Sequence, residues 1–455
     1  MTTDINNIEA EMNKSEFRKS ILLFSGPIVA ELMLMSLISI VNLSMVGHLG
    51  AYAISAIGLT SQPVFISVAV FQSFNVGATA LVARFIGARE NENAKKVVVQ
   101  TMMMAVLSGI ILAFISFLYS KEIVVLMGAK ADTVEPAAMY MRYMSIGMLF
   151  QAIPTAVASI LRGAGESKAP MQFNVVSNIV NAAGGYMLIY GFWIFPELGL
   201  EGAAIAATLA KLVACGMSIY ALFTCGLPVA ISFKDQLRLD GVMLKRIMRI
   251  GISAAGEQLA VRIGFLLYTK MIADLGTTAF AAHQVCLGIT GLASNAVMGF
   301  STAASSYTGR SLGAKRPDLA EKYCDEIRRM GFVLSITIGT AFFFFGYQIS
   351  RLFTPDASVL AMAALVLKIA AFITPPQNSL MIISGSLRGA GDTKWPLVNA
   401  LVGTIFTRLT LAYILVKYFH LGIAGAWTAA LIDQSIRSVL MLYRYKNGGW
   451  KQLAV

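Results

Sequence analysis

A chain of 455 residues with 57% hydrophobic and only 13% charged residues is too apolar for an ordinary soluble domain, in which about a quarter of the residues are charged. Because about 20 helical residues cross a bilayer, the length suffices for about a dozen membrane spans and excludes a large additional soluble domain. The formal net charge of +12 is typical of membrane proteins with basic loops, and we expect no nucleic-acid partner.

The chain opens with a polar segment of mixed charge, residues 1–20. The first apolar run, 21–46, is too long for a cleavable signal peptide, so we expect it to remain as the first span. Further apolar runs, bounded by charged residues or by Gly and Pro, predict an all-α membrane protein with twelve transmembrane helices. The predicted spans are 21–46, 55–82, 97–119, 137–161, 171–195, 202–224, 250–273, 279–308, 331–350, 359–386, 396–418 and 422–443.

These spans divide the chain into five parts. We predict an N-terminal tail (1–20), a first set of six helices (21–224), a linker (225–249), a second set of six (250–443) and a C-terminal tail (444–455). Most Lys and Arg residues outside the spans fall on one side of the membrane. Only Lys121, Lys130, Arg351 and Lys417 fall on the other. This asymmetry predicts that both termini are cytoplasmic.

The two halves repeat at an offset of 226 residues. The segment Leu161-Arg-Gly-Ala-Gly-Glu-Ser-Lys-Ala-Pro170 matches the segment from Leu387 to Pro396 at seven of ten positions. The same offset pairs Glu31 with Glu257 and Gln151 with Gln377. Since each repeat holds an even number of spans, the repeats are parallel in topology. We therefore expect two six-helix bundles related by a pseudo-two-fold axis, with a central cleft that opens alternately to either side.

Glu31 and Glu257 lie well inside the first and seventh predicted spans. An ionisable group inside a membrane is costly and is a functional candidate by default. We predict that these two carboxylates bind the coupling ion or a cationic substrate. The alternative is that each satisfies an Arg, a Lys or the backbone within its own bundle and only holds helices together.

Other polar residues within the spans have structural alternatives to a functional role. Lys211 and Arg408 belong to a group whose side chains can extend to an interface, and Asp433 can neutralise Arg437 four residues later on one helix. Gln151 and Gln377 lie near prolines that kink helices, either for gating or for structure alone. These prolines are Pro154, Pro375 and Pro376.

Catalytic and nucleotide-binding motifs are missing from the sequence: it has no GxSxG, no HExxH and no GxxxxGK[ST]. The four cysteines and three histidines are scattered and form no metal-binding pattern. We therefore expect neither an enzyme nor a self-contained ATPase, with no cofactor and with energy drawn from an ion gradient. If the coupling ion is sodium, the protein contains a sodium site.

Three motifs resemble those of the multidrug and toxic-compound extrusion (MATE) transporters. They are Val41-Asn-Leu-Ser-Met-Val-Gly-His-Leu-Gly50, the pair Leu275-Gly with Ala281-Ala-His-Gln284, and Ser386-Leu-Arg-Gly-Ala-Gly-Asp-Thr393. The resemblance covers residues 20–445. It implies V-shaped lobes and the export of small amphipathic cations in exchange for protons or sodium ions.

This sequence departs from the family at two positions that are often acidic. It has Asn42 in the first helix and Gln377 in the tenth, and neither amide can carry a proton, although both can offer a carbonyl oxygen to a cation or a substrate. The coupling role then falls to Glu257, with Glu31 as its partner.

The expectation is a monomeric antiporter in a bacterial plasma membrane, in contact with membrane lipids. One alternative is a related flippase for a lipid-linked or other amphipathic precursor. A remote alternative is an intramembrane enzyme or a scaffold that transports nothing.

Overall fold

The computed structural model describes residues 14–192, 195–224, 226, 229–230 and 239–453. Within these ranges the protein is helical, without strands, and twelve helices are long enough to cross a bilayer. Those of the first half are α1 Lys14–Gly47, α2 Ala51–Gly87, α3 Asn91–Leu118, α4 Val134–Gly163, α5 Lys168–Tyr190 and α6 Gly199–Thr224. Those of the second half are α7 Gly241–Ala273, α8 Thr277–Gly313, α9 Pro317–Arg351, α10 Ala357–Gly389, α11 Lys394–Tyr418 and α12 Gly422–Lys446.

The all-α, six-plus-six arrangement predicted from the sequence is confirmed. Ten of the twelve helices are apolar enough to be recognised as spans by composition alone. The other two, α5 and α12, are long enough but more polar, because α5 carries several amide side chains and α12 carries Asp433 and Arg437. Most helices extend past the predicted spans, since backbone hydrogen bonding continues into the charged residues at their ends.

The predicted tails and linker lie partly outside the described residues. Residues 1–13, 225, 227–228, 231–238 and 454–455 are not described. The described part of the N-terminal tail, 14–20, is the start of α1. The last residues of the predicted linker, 241–249, already belong to α7.

The helices form two compact units. One unit is Gly26–Gly251, and the other contains residues 14–25 together with 252–453. We call them the N-terminal and C-terminal units. Helices α1 and α7 therefore each begin in one unit and end in the other. Gly251, for example, is so close to Ser73 that a Cβ atom would lie 2.4 Å from the Ser73 carbonyl oxygen.

Helices α4 and α10 are the most buried candidate spans of their units. In the N-terminal unit α4 packs against α2, α3 and α6, and in the C-terminal unit α10 packs against α8, α9 and α12. These two helices carry the repeated Leu-Arg-Gly-Ala-Gly motif at their C-terminal ends. The motif therefore lies at the end of the central helix of each unit.

The structure explains why the motif contains two glycines. Gly165 and Gly391 have φ angles of 90° and 86°, which favour glycine, and each ends its helix in the same pattern of hydrogen bonds. In the first copy the Glu166 amide donates to the Leu161 carbonyl at 2.8 Å, and in the second the Asp392 amide donates to the Leu387 carbonyl at 2.8 Å. The repeat is thus preserved in backbone geometry as well as in sequence.

The other glycine of each motif lets two helices approach closely. A Cβ atom on Gly163 would lie 2.8 Å from the Thr79 carbonyl oxygen of α2, and one on Gly389 would lie 2.0 Å from the Ser305 carbonyl oxygen of α8. Residues 79 and 305 are themselves 226 positions apart. The arginine before each glycine is therefore placed by a tight contact between the central helix and its neighbour.

Candidate functional site

Glu31 is buried, with 3% of its surface exposed, on α1. The Arg162 guanidinium of α4 donates from Nη2 to both carboxylate oxygens at 2.7 Å. The Asn174 amide of α5 donates to Oε1 at 2.8 Å. Both oxygens are therefore occupied, and the contacts link three helices of the N-terminal unit.

Glu257 is the repeat equivalent on α7 and is 6% exposed. The Arg388 Nη2 atom of α10 donates to Oε1 at 2.8 Å, and the Ser384 hydroxyl lies 3.4 Å from the same oxygen as a weaker donor. Arg388 also donates to the Ser384 hydroxyl oxygen at 2.9 Å. The second carboxylate oxygen, Oε2, is buried and has no hydrogen-bond partner among the described residues.

Each of the two glutamates thus has its own arginine partner, but their remaining contacts differ. The residue equivalent to the amide donor Asn174 in the second repeat is Ala400. The residue equivalent to Ser384 in the first repeat is Ala158. A buried acceptor without a donor costs free energy, about 1–3 kcal/mol, and a proton or cation bound to the oxygen would remove this cost. Of the two predicted coupling carboxylates, only Glu257 has this spare oxygen.

The arginine partners were missed by sequence reasoning. It recognised the repeated motif that contains Arg162 and Arg388, and it recognised the paired glutamates, but it did not connect them. Both pairs of partners are separated by 131 residues along the chain. The equal separations follow from the repeat offset alone, so the sequence contained no signal that joined these residues.

Two of the three predicted amides, Gln151 and Asn42, make no side-chain hydrogen bond to any described residue. Asn42 lies on α1 eleven residues after Glu31, about 16 Å along the helix. Gln377 donates from Nε2 to the Ser294 hydroxyl of α8 at 3.2 Å. It lies seven residues before Ser384, so it does not join the Glu257 contacts.

The predicted gating prolines lie inside continuous helices. Pro154 is within α4, and Pro375 and Pro376 are within α10. Proline at 375 removes the amide that would bond to the Ala371 carbonyl. The Thr374 hydroxyl donates to this carbonyl instead, at 3.0 Å. The side chain before the proline therefore replaces part of the lost backbone bonding.

A second buried charged cluster lies in the C-terminal unit. Asp433 on α12 is fully buried and accepts from Arg408 of α11, whose Nη2 lies 2.7 Å from Oδ2. Arg437 donates to the Thr404 hydroxyl at 2.9 Å. The hydrogen-bonded partner of Asp433 is therefore Arg408, while Arg437 interacts with the Asp433 charge electrostatically.

The geometry of α11 explains this choice of partner. The segments Leu401–Arg408 and Ile414–Tyr418 are π-helical, with one extra residue in each turn. The first segment brings Thr404 and Arg408 to the α12 side, and Gly403 leaves room for the Asp433 and Arg437 side chains. A prediction from the sequence that assumes 3.6 residues per helical turn could not have placed these residues.

Among the described residues, no group of three or more His, Cys, Asp and Glu side chains gathers in a way that could hold a metal ion. The arrangement around Glu257 instead offers one unpartnered carboxylate oxygen beside a hydroxyl and a guanidinium. Such a site can bind a proton at Oε2, or a monovalent cation through carboxylate and hydroxyl oxygens.

Comparison with known proteins agrees with the duplicated fold. The MatE family model matches residues 27–187 and 253–414, two stretches that begin 226 residues apart. The chain is 27% identical to the probable multidrug resistance protein NorM of Thermotoga maritima, over 97% of this chain and 94% of that protein. It is 25% identical to the probable multidrug resistance protein YoeA of Bacillus subtilis, over 98% and 96%.

Solved structures show the same fold. A crystal structure of MATE in the straight conformation has a TM-score of 0.89 at 24% identity and covers 96% of this chain and 97% of that one. A MOP superfamily transporter from Pyrococcus furiosus, described as having a binding pocket of reverse polarity, has a TM-score of 0.88 at 25% identity, with 96% and 97% covered.

Proposed function

Because this chain belongs to the MatE family, whose members are transporters and not enzymes, we propose that it exports small amphipathic cations in exchange for protons or sodium ions. The relatives named as multidrug resistance proteins, matched over nearly their whole length, support multidrug efflux. We further propose that Glu257 binds the coupling ion. The observation that carries this assignment is the buried, unpartnered Oε2 atom of Glu257.

The proposed exchange follows from electrostatics at Glu257. Arg388 holds Oε1, so an incoming proton or sodium ion meets Oε2, which has no competing donor among the described residues. Binding of the cation cancels the carboxylate charge and weakens the attraction to Arg388. Since an organic cation is also attracted to a free carboxylate, the two cations exclude each other at this residue, which produces antiport.

Glu31 has a different role in this proposal. Its two oxygens already accept three hydrogen bonds from Arg162 and Asn174, so a coupling ion would have to displace existing donors. We assign Glu31 to the joining of α1, α4 and α5. Asn42, Gln151 and Gln377 remain candidates for substrate contact through their amides, and the prolines of α4 and α10 remain candidates for gating.

The proposal also includes location and assembly. We place the protein as a monomer in a bacterial plasma membrane, with both termini in the cytoplasm, where the basic loops contact anionic lipid headgroups. Alternating access then carries the substrate outward.

Efflux of ethidium from proteoliposomes, under either a proton or a sodium gradient, tests the coupling. The E257Q substitution keeps the Oε1 acceptor for Arg388 and removes the titratable charge, so we expect gradient-driven export to fall to the level of protein-free vesicles. The gradient that drives export by the unsubstituted protein identifies the ion.

Two variants serve as controls. E31Q makes the same change at the fully occupied glutamate, and we expect coupled export to persist per folded molecule. E326Q makes the same glutamate-to-glutamine change near the start of α9. The Glu326 carboxylate is buried and paired with Arg18 and Arg329. Coupled export by E257Q would refute the assignment, and the lack of export under both gradients by the unsubstituted protein would favour the flippase.

A further inference from the structure

Lys211 is a cation without a counterion among the described residues, in the middle of α6. It lies 12 residues from Gly199 and 13 from Thr224, about 18 Å from either end of the helix. This depth is too great for its side chain to reach an interface. No hydrogen bond or ion pair joins its ammonium group to any described residue.

The helices packed against α6 offer no carboxylate at this level. Gly147 of α4 lies beside the lysine, where a Cβ atom would be 3.0 Å from Cδ and 3.2 Å from Nζ. On α4 no titratable residue lies between Tyr143 and Arg162, and on α5 none lies between Lys168 and Tyr186. The remaining polar contacts near Lys211 are neutral, for example Ser177 donating to the Ala210 carbonyl at 2.8 Å.

Two buried or nearby carboxylates of the N-terminal unit are already engaged. Glu201 lies ten residues earlier on α6, about 15 Å away, and accepts from the Tyr143 hydroxyl. Glu31 is held by Arg162 and Asn174. Lys211 as a whole residue is half-buried.

The second repeat has a carboxylate at a position where the first repeat has none. The equivalent of Lys211 is Arg437, which lies beside the buried Asp433–Arg408 pair. In the first repeat the positions of Asp433 and Arg408 are Ala207 and Ala182. The N-terminal unit therefore keeps the central cation of this cluster but has no carboxylate at the equivalent place.

We propose that Lys211 binds an anionic group of the transported substrate, a carboxylate, so that the protein exports zwitterionic amphiphiles as well as cations. This inference rests on the export of organic cations proposed above and adds an acidic group to the substrate class. An unpaired ammonium at membrane depth gains more from an incoming carboxylate than a surface lysine does, since bulk solvent screens a surface pair more strongly.

Two dyes that differ in one group test the proposal. Rhodamine 110 carries a carboxylate, and rhodamine 123 is its methyl ester with the same cationic ring system. For the full-length protein in proteoliposomes we compare the KM values of the two dyes. In the K211M variant, which preserves length but not charge, we expect the ratio of the rhodamine 110 KM to the rhodamine 123 KM to rise at least about tenfold.

Three further variants make the test specific. K368M makes the same change at an exposed lysine within α10 and is expected to leave the ratio at its original value. K211R keeps a cation and is expected to lie between K211M and the unsubstituted protein. G147A keeps the lysine but forces its side chain to move, so the ratio should rise less than in K211M.

The failures of the two proposals can be distinguished. Export of rhodamine 123 without any export of rhodamine 110, or an unchanged ratio in K211M, overturns the Lys211 inference alone. The Lys211 inference is also overturned if rhodamine 123 export by the unsubstituted protein stops when methanesulfonate replaces chloride, while export by K211M does not depend on chloride. The ammonium then binds an inorganic anion. Absence of export for both dyes and for ethidium overturns the proposed function itself.

Discussion

At the residue scale, the C-terminal unit buries a cluster of charged side chains around Asp433. Asp433 is fully buried, its Oδ2 atom is held by Arg408, and its Oδ1 atom has no partner among the described residues. A buried ion pair adds little net stability when both partners are present, but removal of one partner leaves an uncompensated charge. Asp433 therefore matters most for holding α11 against α12.

The D433N substitution tests this role. It preserves the shape of the side chain and removes its charge, so Arg408 and Arg437 lose their shared carboxylate. We expect the free energy of unfolding to fall by about 3–5 kcal/mol, measured as a lower midpoint in thermal or denaturant unfolding of the detergent-solubilised protein.

The matched control for D433N is D318N. Asp318 pairs with Arg316 at 2.8 Å, but 63% of its side chain is exposed, and an exposed pair contributes about 0–1 kcal/mol. In addition, the R408Q substitution in the D433N background should restore part of the lost stability. Equal unfolding midpoints for D433N and D318N would contradict the prediction.

At the element scale, close helix contacts decide where the arginines of the repeated motif lie. Gly389 brings α10 against α8, and Arg388 is then directed toward Glu257 on α7. The same relation joins Gly163, Arg162 and Glu31 in the first repeat. In each repeat, a glycine far from the carboxylate in sequence thus positions the arginine that binds this carboxylate.

The G389A substitution should disturb this contact. Its Cβ atom would lie 2.0 Å from the Ser305 carbonyl oxygen, a backbone atom that cannot move alone. We expect a loss of about 1–3 kcal/mol in unfolding free energy, typical of an overpacked site. Thermal unfolding of the purified variant provides the measurement.

G288A on α8 is the control for that substitution. Gly288 has no atom within 4 Å of its would-be Cβ. Alanine there should leave stability unchanged or raise it by about 0.5–1 kcal/mol, since alanine favours a helix over glycine. If G389A were as stable as G288A, the close α8–α10 contact would not constrain the fold.

At the scale of the whole molecule, the distribution of basic residues predicts the orientation in the membrane. In a variant without native cysteines, we expect E90C and K315C to react with a membrane-impermeant maleimide only from the cytoplasmic side, and K130C only from the outside. All three positions are exposed. Labelling of intact cells and of inverted vesicles measures this, and the reverse pattern would overturn the proposed orientation.

The sequence alone determined the fold class, the number of spans and the duplication. Hydrophobic runs of spanning length follow directly from the thickness of the bilayer, and a constant offset of 226 residues needs no structure to be seen. The candidate carboxylates, Glu31 and Glu257, were also visible, because charge inside an apolar run is rare and conspicuous.

Only the tertiary structure decided which groups meet those carboxylates. The arginine partners of Glu31 and Glu257 lie 131 residues away on other helices. The π-helical first segment of α11 ends at Arg408, which hydrogen-bonds to Asp433. Periodicity along one helix contains no information on such contacts. They depend on which helices pack and how closely, and in the part of the chain that the structure describes this packing left Oε2 of Glu257 and the ammonium of Lys211 without partners.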